Sequence, residues 1–340
     1  MSANPIYHLK DCYFFEVPKA MWRHGWKTLD EVPAFLRNGS PDITDVAAFN
    51  DALDGKILIP QPFAELHSLY AVKSGFAISK YMILELVIAA LMFVIFTWVA
   101  SRLRTGAAPK GPLLNLFESM LVFIRDNIAR PAIDDHGHDH GDDHEHGHAQ
   151  SHGAAGHAHA AAVHTGDRFV PLLWTLFFFV LGCNLMGMVP WAGSPTASFS
   201  VTLALAGVTL ATVVVAGMLK FGFLGFFGNQ VPSMDLPLPI AIVLKPMIFA
   251  IEMLGLCIKH LILAVRLLAN MVAGHLVLLG IMGMISAAAS YSMGMWATVT
   301  GISVVSSALF SLLELFVAFL QAYIFTFLSA LFIGASVHQH

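Results

Sequence analysis

Two apolar stretches in the C-terminal part of the chain, residues 239–290 and 298–337, are each too long for one upright membrane span. Fifty residues of helix would reach about 75 Å, whereas the hydrocarbon core of a bilayer is about 30 Å thick. The longer stretch must therefore tilt strongly, break, or both, and Pro246 is one candidate break. Because the stretches meet near Gly294, we predict a pair of inclined membrane helices.

Three shorter apolar runs precede this pair. Residues 81–100, 169–191 and 197–219 each have the length of a membrane helix. The last two are separated by Gly193-Ser194-Pro195, which predicts a hairpin. Charged residues make up only 12% of the chain, about half of what is usual in a soluble domain. The predicted fold class is therefore an all-α polytopic membrane protein.

The charges around the first run predict its orientation. Arg102, Arg104 and Lys110 follow the run, and loops rich in Lys and Arg stay on the cytoplasmic side. The polar residues 1–77 are then extracytoplasmic, and their irregular pattern indicates no particular fold. Residues 111–130 combine charges with apolar residues at helical spacing, which predicts an amphipathic helix in the membrane interface.

These patterns divide the chain into four predicted regions. They are an extracytoplasmic extension (1–77), a first span with an interfacial helix (78–130), a histidine-rich cytoplasmic loop (131–167), and a hairpin followed by two tilted helices with a cytoplasmic C-terminus (168–340).

The histidine-rich loop holds ten histidines between positions 136 and 164, mixed with Asp and Gly. Such a composition cannot bury a core, so we expect this segment to be disordered. Neutral imidazoles bind zinc, nickel or copper. The candidate metal ligands at its start are His136, His138, His140, His144, His146 and His148. An inserted linker whose metal binding is incidental would have the same composition.

Arg266 is a permanent charge inside the longer apolar stretch. A guanidinium at membrane depth costs about 2.5–3.5 kcal/mol on insertion scales, and it cannot lose its proton. Between Leu261 and Trp296, apart from the phenol of Tyr291, the other ionisable side chain is His275. We therefore expect the charge of Arg266 either to have a function or to be neutralised by a partner.

Polar residues in both long stretches recur at helical spacing. Glu252, Lys259 and Arg266 are seven residues apart, so they share one helix face, and Asn270 lies near the same face. The second stretch has its own polar stripe. Its members are Ser307, Ser311, Glu314 and Gln321.

An antiparallel arrangement brings these stripes together. One register places Gln321 beside Arg266 and Glu314 beside His275, with the turn near Gly294. His275 and Glu314 both exchange protons, and coupling between them would shift their protonation equilibria. Arg266, roughly 10–14 Å away along the helix, would stop a proton from running straight past the pair.

Several of these motifs resemble subunit a of the F-type ATP synthase, of the bacterial type. The run Arg266-Leu267-Leu268-Ala269-Asn270-Met271 with Ala273-Gly274-His275 is similar to the signature of that family. Glu314 with Gln321-Ala322-Tyr323-Ile324-Phe325 resembles its final helix, and Asn184-Leu185-Met186-Gly187 resembles its earlier hairpin. The resemblance covers about residues 78–338. The histidine-rich segment lies outside these motifs.

The resemblance implies a proton-conducting stator subunit in the bacterial plasma membrane. Such subunits provide two offset half-channels against a rotating ring of c subunits, and they assemble with b-type peripheral stalk subunits and the rest of the ATP synthase. We expect no cofactor, and with a net charge of −4 no basic field points to nucleic acid. The chain also lacks a P-loop pattern, which is consistent with a non-catalytic subunit of the complex.

By matched position, the resemblance implies a role for each polar residue. Arg266 would be the essential arginine that faces the ring carboxylates, with Gln321 and Asn270 as its polar neighbours. His275 and Glu314 would line the outer half-channel, and some family members carry an acid and a histidine at these positions the other way round. The candidates for further channel residues are Glu252, Lys259 and Asn184. The family often has Pro where this chain has His260.

Two other functions are consistent with parts of the sequence. A metal-ion transporter would explain the histidine-rich loop, but it needs His, Asp and Glu ligands that converge inside the membrane. A structural scaffold would leave Arg266 unexplained. The coupling ion, H⁺ or Na⁺, depends on the ring carboxylate and is not encoded in this chain.

Overall fold

The computed structural model describes residues 11–39, 45–103, 111–134, 165–189, 192–229 and 238–337. Within these ranges, five helices are long and apolar enough to cross a membrane, which confirms the predicted class of all-α polytopic membrane protein. The predictions for Arg104, Lys110 and the histidines of residues 135–164 concern positions outside the described residues.

The chain separates into two compact units. The first comprises Met1–Ser101, Phe178–Ala206 and Leu261–Ala322, and the second comprises Arg102–Phe177, Gly207–His260 and Tyr323–His340. Several of the long helices contribute residues to both units.

The extracytoplasmic extension predicted from the sequence is a folded α+β body. Its elements are β1 (Phe14–Glu16), α1 (Ala34–Gly39), α2 (Val46–Leu53), β2 (Lys56–Leu58), β3 (Ala64–Ser68) and β4 (Ala71–Gly75). β1 pairs with β2 and β3 with β4, both antiparallel. A small apolar core of residues such as Phe14, Val32 and Phe49 stabilises the body. Strands of three to five residues are too short to show an alternating pattern, so the sequence did not indicate them.

The first span is α3 (Lys80–Leu103), which begins one residue before the predicted start. The predicted amphipathic helix is a continuous helical segment comprising α4 (Pro112–Phe123), a π-helical stretch (Ile124–Ala129) and α5 (Arg130–Asp134). Its buried side chains, Ile124, Ile128 and Ile133, show that one face packs inside the second unit. Its position in the membrane interface stays a prediction.

The predicted hairpin consists of α6 (Val170–Gly187) and α7 (Phe199–Phe221). Gly193 has φ of +81°, a conformation that favours glycine, and a short 3-10 helix over Pro195–Ala197 completes the turn. The prediction of a turn at Gly193-Ser194-Pro195 is therefore confirmed. A seven-residue helix, α8 (Phe223–Asn229), follows α7 and was not predicted.

The two overlong stretches are α9 (Leu238–Ala288) and α10 (Met293–Val337), of 51 and 45 residues. α9 runs through Pro246 without interruption, so the candidate break at that residue is wrong. A proline there removes one backbone hydrogen bond, and the remaining bonds hold the helix together. His260, the residue at which the family often has Pro, is buried beside Phe332 with ring centroids 4.9 Å apart.

Candidate functional site

Arg266 lies in the middle of α9, at the edge of the helix face that packs inside the first unit. Leu263, Ala264 and Leu267 are buried on the packed face, whereas Val265 and Asn270 are exposed. The guanidinium is half-buried. No described residue gives it a hydrogen bond or an ion pair. A cation held between a packed and an uncovered face is accessible to a group from outside the chain.

Asn270 lies four residues beyond Arg266 on the same helix and connects α9 to α10. Its Nδ2 donates a hydrogen bond of 2.7 Å to Oε1 of Gln321, which is buried. The sequence register had placed Gln321 beside Arg266, so the observed amide pair is displaced by about one helical turn. Nε2 of Gln321 is buried and has no hydrogen-bond partner among the described residues.

The predicted proximity of His275 and Glu314 is confirmed. Nδ1 of His275 lies 3.4 Å from Oε1 of Glu314, an ion-pair distance at which no hydrogen bond is formed. The same Nδ1 is 2.8 Å from the carbonyl oxygen of Met271, and Nε2 is 3.1 Å from that of Gly187. Carbonyl oxygens only accept hydrogen bonds, so both bonds form when both ring nitrogens carry protons. His275 therefore faces Glu314 and two backbone carbonyls through oxygen atoms that all accept hydrogen bonds.

Two glycines allow the groups of this site to approach one another. A Cβ at Gly274 would lie 2.8 Å from Oε1 of Glu314, and a Cβ at Gly187 would lie 2.6 Å from Cβ of Ser194. Glycine at 274 therefore permits the carboxyl group to contact the backbone of α9. Glycine at 187 permits close packing of the hairpin turn, which places the Gly187 carbonyl against His275. Neither role was predicted, although Gly274 precedes His275 directly in the sequence.

Asn184 is fully buried and ties the hairpin to α10. Its Nδ2 donates to the carbonyl oxygen of Ala318 at 3.3 Å, and its Oδ1 accepts from the hydroxyl of Thr196 at 2.9 Å. These bonds give it a structural role on the wall of the site. Its prediction as a channel residue stays untested.

Glu252 and Lys259 are exposed on the part of α9 that belongs to the second unit. Within the described ranges neither residue forms an ion pair, so the interpretation that they pair with each other is not supported. They remain candidate channel residues on the helical stripe that leads to Arg266.

A metal centre has no support in the described part of the chain, where no group of three His, Cys, Asp or Glu side chains could hold an ion. The candidate ligands from His136 to His148 lie outside the described residues. The transporter hypothesis therefore has no support from the membrane helices.

Comparison with known proteins identifies the family of this chain. The family model described as ATP synthase A chain matches residues 155–334, a range that includes every polar residue of the site from Asn184 to Gln321. The chain belongs to the ATP synthase subunit a family. The alternative function as a metal-ion transporter is unsupported by this comparison.

Relatives of established name extend the match into the N-terminal region. The chain is 33% identical over 293 residues to ATP synthase subunit a of Chlorobium phaeobacteroides, covering 84% of this chain and 74% of the relative. It is 36% identical over 268 residues to that of Myxococcus xanthus, covering 78% and 75%. With that of Anaeromyxobacter sp. the identity is 31% over 342 residues, covering 100% and 71%.

Proposed function

We propose that this chain is the proton-conducting stator subunit of an F-type ATP synthase, and that Arg266 separates two half-channels. The observation that supports the proposal is that α9 carries both Arg266 and His275. The half-buried Arg266, which has no hydrogen-bond or ion-pair partner among the described residues, lies nine residues from His275 and its contact with the buried Glu314. A separation of nine residues corresponds to about 13 Å along a helix.

The His275–Glu314 pair has the chemistry of a proton-transfer station. A proton that arrives from outside can rest on the Glu314 carboxylate and leave again towards a carboxylate of the c-ring. When His275 carries a proton, its positive charge favours the ionised state of Glu314 between transfers. The pair thus returns to its starting charge after each proton, and no residue is consumed.

Arg266 would act on the ring carboxylate directly. A permanent cation favours the ionised form of a nearby carboxylic acid, so it drives release of the proton carried there. It also repels a proton that would cross from one half-channel to the other without rotation. Each charge that crosses the membrane supplies about 2.3 kcal/mol per 100 mV, which is then available as rotation.

The proposal includes the partners and location that the family membership implies. The exposed side of α9 around Val265 and Asn270 faces a ring of c subunits, and b-type subunits hold the chain against rotation. The protein lies in the bacterial plasma membrane, with the α+β body outside and the C-terminus in the cytoplasm. ATP is made elsewhere in the complex, because this chain has no P-loop pattern.

The Arg266→Ala variant tests the proposal. We expect loss of proton-driven ATP synthesis in membrane vesicles and retention of ATP hydrolysis by the detached catalytic head. The matched control is Lys245→Ala, which removes an exposed cation from the same helix about 30 Å away and should retain synthesis. Proton-driven synthesis at wild-type rate in Arg266→Ala would contradict the proposal.

A further inference from the structure

Glu85 carries a carboxyl group on the packed face of α3 and is not part of the site described above. Tyr81, Leu84 and Ile88 are buried on the same face, at the spacing of successive helical turns. Oε1 of Glu85 is inaccessible to solvent and has no hydrogen-bond partner among the described residues. An unpartnered carboxyl oxygen inside a membrane protein is costly, and ionisable groups there are kept for a function.

The packing of α3 on α6 fixes the depth of Glu85. A Cβ at Gly182 would lie 2.8 Å from Cγ2 of Ile88, and the rings of Phe96 and Phe178 are 5.1 Å apart. The two helices are therefore antiparallel. Glu85, which precedes Ile88, lies opposite the residues that follow Gly182 on α6.

That part of α6 also forms the wall of the His275–Glu314 site. Asn184 bonds to the backbone of α10, and the carbonyl of Gly187 contacts Nε2 of His275. Glu85 and the pair therefore lie at the same depth, on two sides of the last turn of α6. All of these residues belong to the first compact unit.

A second carboxyl group leads from Glu85 towards the extracytoplasmic body. Oδ1 of Asp11 accepts from the backbone nitrogens of Cys12 at 3.0 Å and Tyr81 at 3.4 Å, at the first turn of α3. Burial raises the pKa of the Asp11 carboxyl, so it holds a proton more readily than a surface aspartate. Glu85 is one helical turn further into the membrane. Among the other ionisable groups, Cys183 on α6 lies near Glu85, and Lys80 on α3 lies near Asp11.

We propose that Glu85 is a proton carrier of the outer half-channel that supplies the His275–Glu314 pair. The carboxylate of Glu85 takes a proton from the extracytoplasmic side, through the region of Asp11, and becomes a carboxylic acid. It then gives this proton to the pair and returns to the carboxylate, so that charge and protons balance in each cycle. The proposal rests on the proposed function of the chain.

Isosteric substitution separates proton transfer from packing. Glu85→Gln keeps the shape and removes the titrating group. We expect proton-driven ATP synthesis to fall by at least about tenfold, since a positioned proton-transfer group typically contributes about 10²–10⁴-fold. Glu85→Asp should recover much of that loss. The matched control is Glu65→Gln, the same change at an exposed carboxyl of the extracytoplasmic body, which should leave synthesis unchanged.

A cysteine at the same position reports whether protons and water reach it. In a chain with Cys12, Cys183 and Cys257 replaced by alanine, Glu85→Cys should make synthesis sensitive to Ag⁺ added from the extracytoplasmic side. A carboxyl that only packs would give wild-type synthesis in Glu85→Gln and no Ag⁺ sensitivity, and either result overturns the proposal.

Arg266→Ala is measured alongside, to separate failure of this proposal from failure of the proposed function. If it abolishes coupling while Glu85→Gln does not, the failure concerns Glu85 alone.

Discussion

His275 lies against three oxygen atoms, namely the carbonyls of Met271 and Gly187 at hydrogen-bond distance and the carboxyl of Glu314 at 3.4 Å. Glu314 is the one ionisable side chain among these three partners, so each member of the pair depends on the other. Removing one member of such a pair leaves the other buried without compensation, whereas exchanging the two preserves both the charge and the ability to transfer protons.

Exchange of the pair is therefore less damaging than loss of either member. We expect His275→Ala and Glu314→Gln each to lower proton-driven ATP synthesis by about tenfold or more. The double variant His275→Glu, Glu314→His should restore a substantial part of the rate. The measurement is ATP synthesis in vesicles with equal amounts of assembled complex. Additive losses in the double variant would show that the residues act independently.

Gly274 leaves the space on α9 that the carboxyl group of Glu314 occupies. Alanine is favoured over glycine inside a helix by about 1 kcal/mol, so Gly274→Ala should not weaken α9. Its Cβ would nevertheless lie 2.8 Å from Oε1 of Glu314 and push the carboxyl away. We therefore expect reduced ATP synthesis with unchanged thermal stability of the complex.

A second glycine of α9 provides the control for this change. Gly280 has nothing within 4 Å of its added Cβ, so Gly280→Ala should leave both stability and synthesis unchanged. Equal synthesis in the two alanine variants would mean that the position of Glu314 near α9 is unimportant for coupling.

At the level of helices and strands, the sequence indicated the long apolar elements well and the short polar ones poorly. Each of the five spans appears at its predicted place, because twenty or more apolar residues admit no other structure in a membrane. The strands of the N-terminal α+β body and α8 were not predicted, because elements of three to seven residues depend on tertiary contacts.

In the candidate site, the sequence predicted some side-chain contacts correctly and missed others. Helical periodicity and the antiparallel register placed His275 beside Glu314, and the contact is observed. The register placed Gln321 beside Arg266, whereas its hydrogen bond is with Asn270. A register counts residues along an axis, but the crossing of two helices and the reach of each side chain decide which atoms meet. The carbonyl of Gly187 has no signal in the sequence at all.

The connection between α5 and α6 shows how the histidine-rich segment is attached. Arg130 donates to both carboxyl oxygens of Asp167, at 2.9 and 3.1 Å, and Oδ1 of Asp134 accepts from the backbone nitrogen of Gly166 at 2.9 Å. The chain thus enters and leaves the segment at one stem in the second unit.

Because the stem closes without the histidines, the segment can be shortened. Replacing residues 136–163 with a short Gly-Ser linker should leave proton-driven ATP synthesis within about twofold of wild type, since loop length itself changes stability only slightly. The test compares assembly and synthesis in the two forms. Loss of coupling in a fully assembled complex would show that the histidines take part in function.

On the scale of the whole molecule, α9 carries Arg266, Asn270 and His275, and α10 carries their partners Glu314 and Gln321. α9 buries Leu263 and Leu267 and leaves Val265 and Ala269 uncovered on the other side, with Arg266 at the boundary. A large exposed apolar surface in a membrane protein faces either lipid or another subunit. Arg266 has no partner among the described residues, and its position is the reason for our proposal that this surface faces the ring.

Cross-linking from the uncovered face tests this assignment most directly. A cysteine at Val265 or Ala269 should form a disulfide with a cysteine placed one turn from the ring carboxylate, in the assembled complex. Phe93 on α3 is also exposed, and a cysteine there should not cross-link to the ring. Cross-links from Val265 and Ala269 alone are the predicted result. Ring cross-links from Phe93, with none from Val265 or Ala269, would contradict the assignment of Arg266 to the ring.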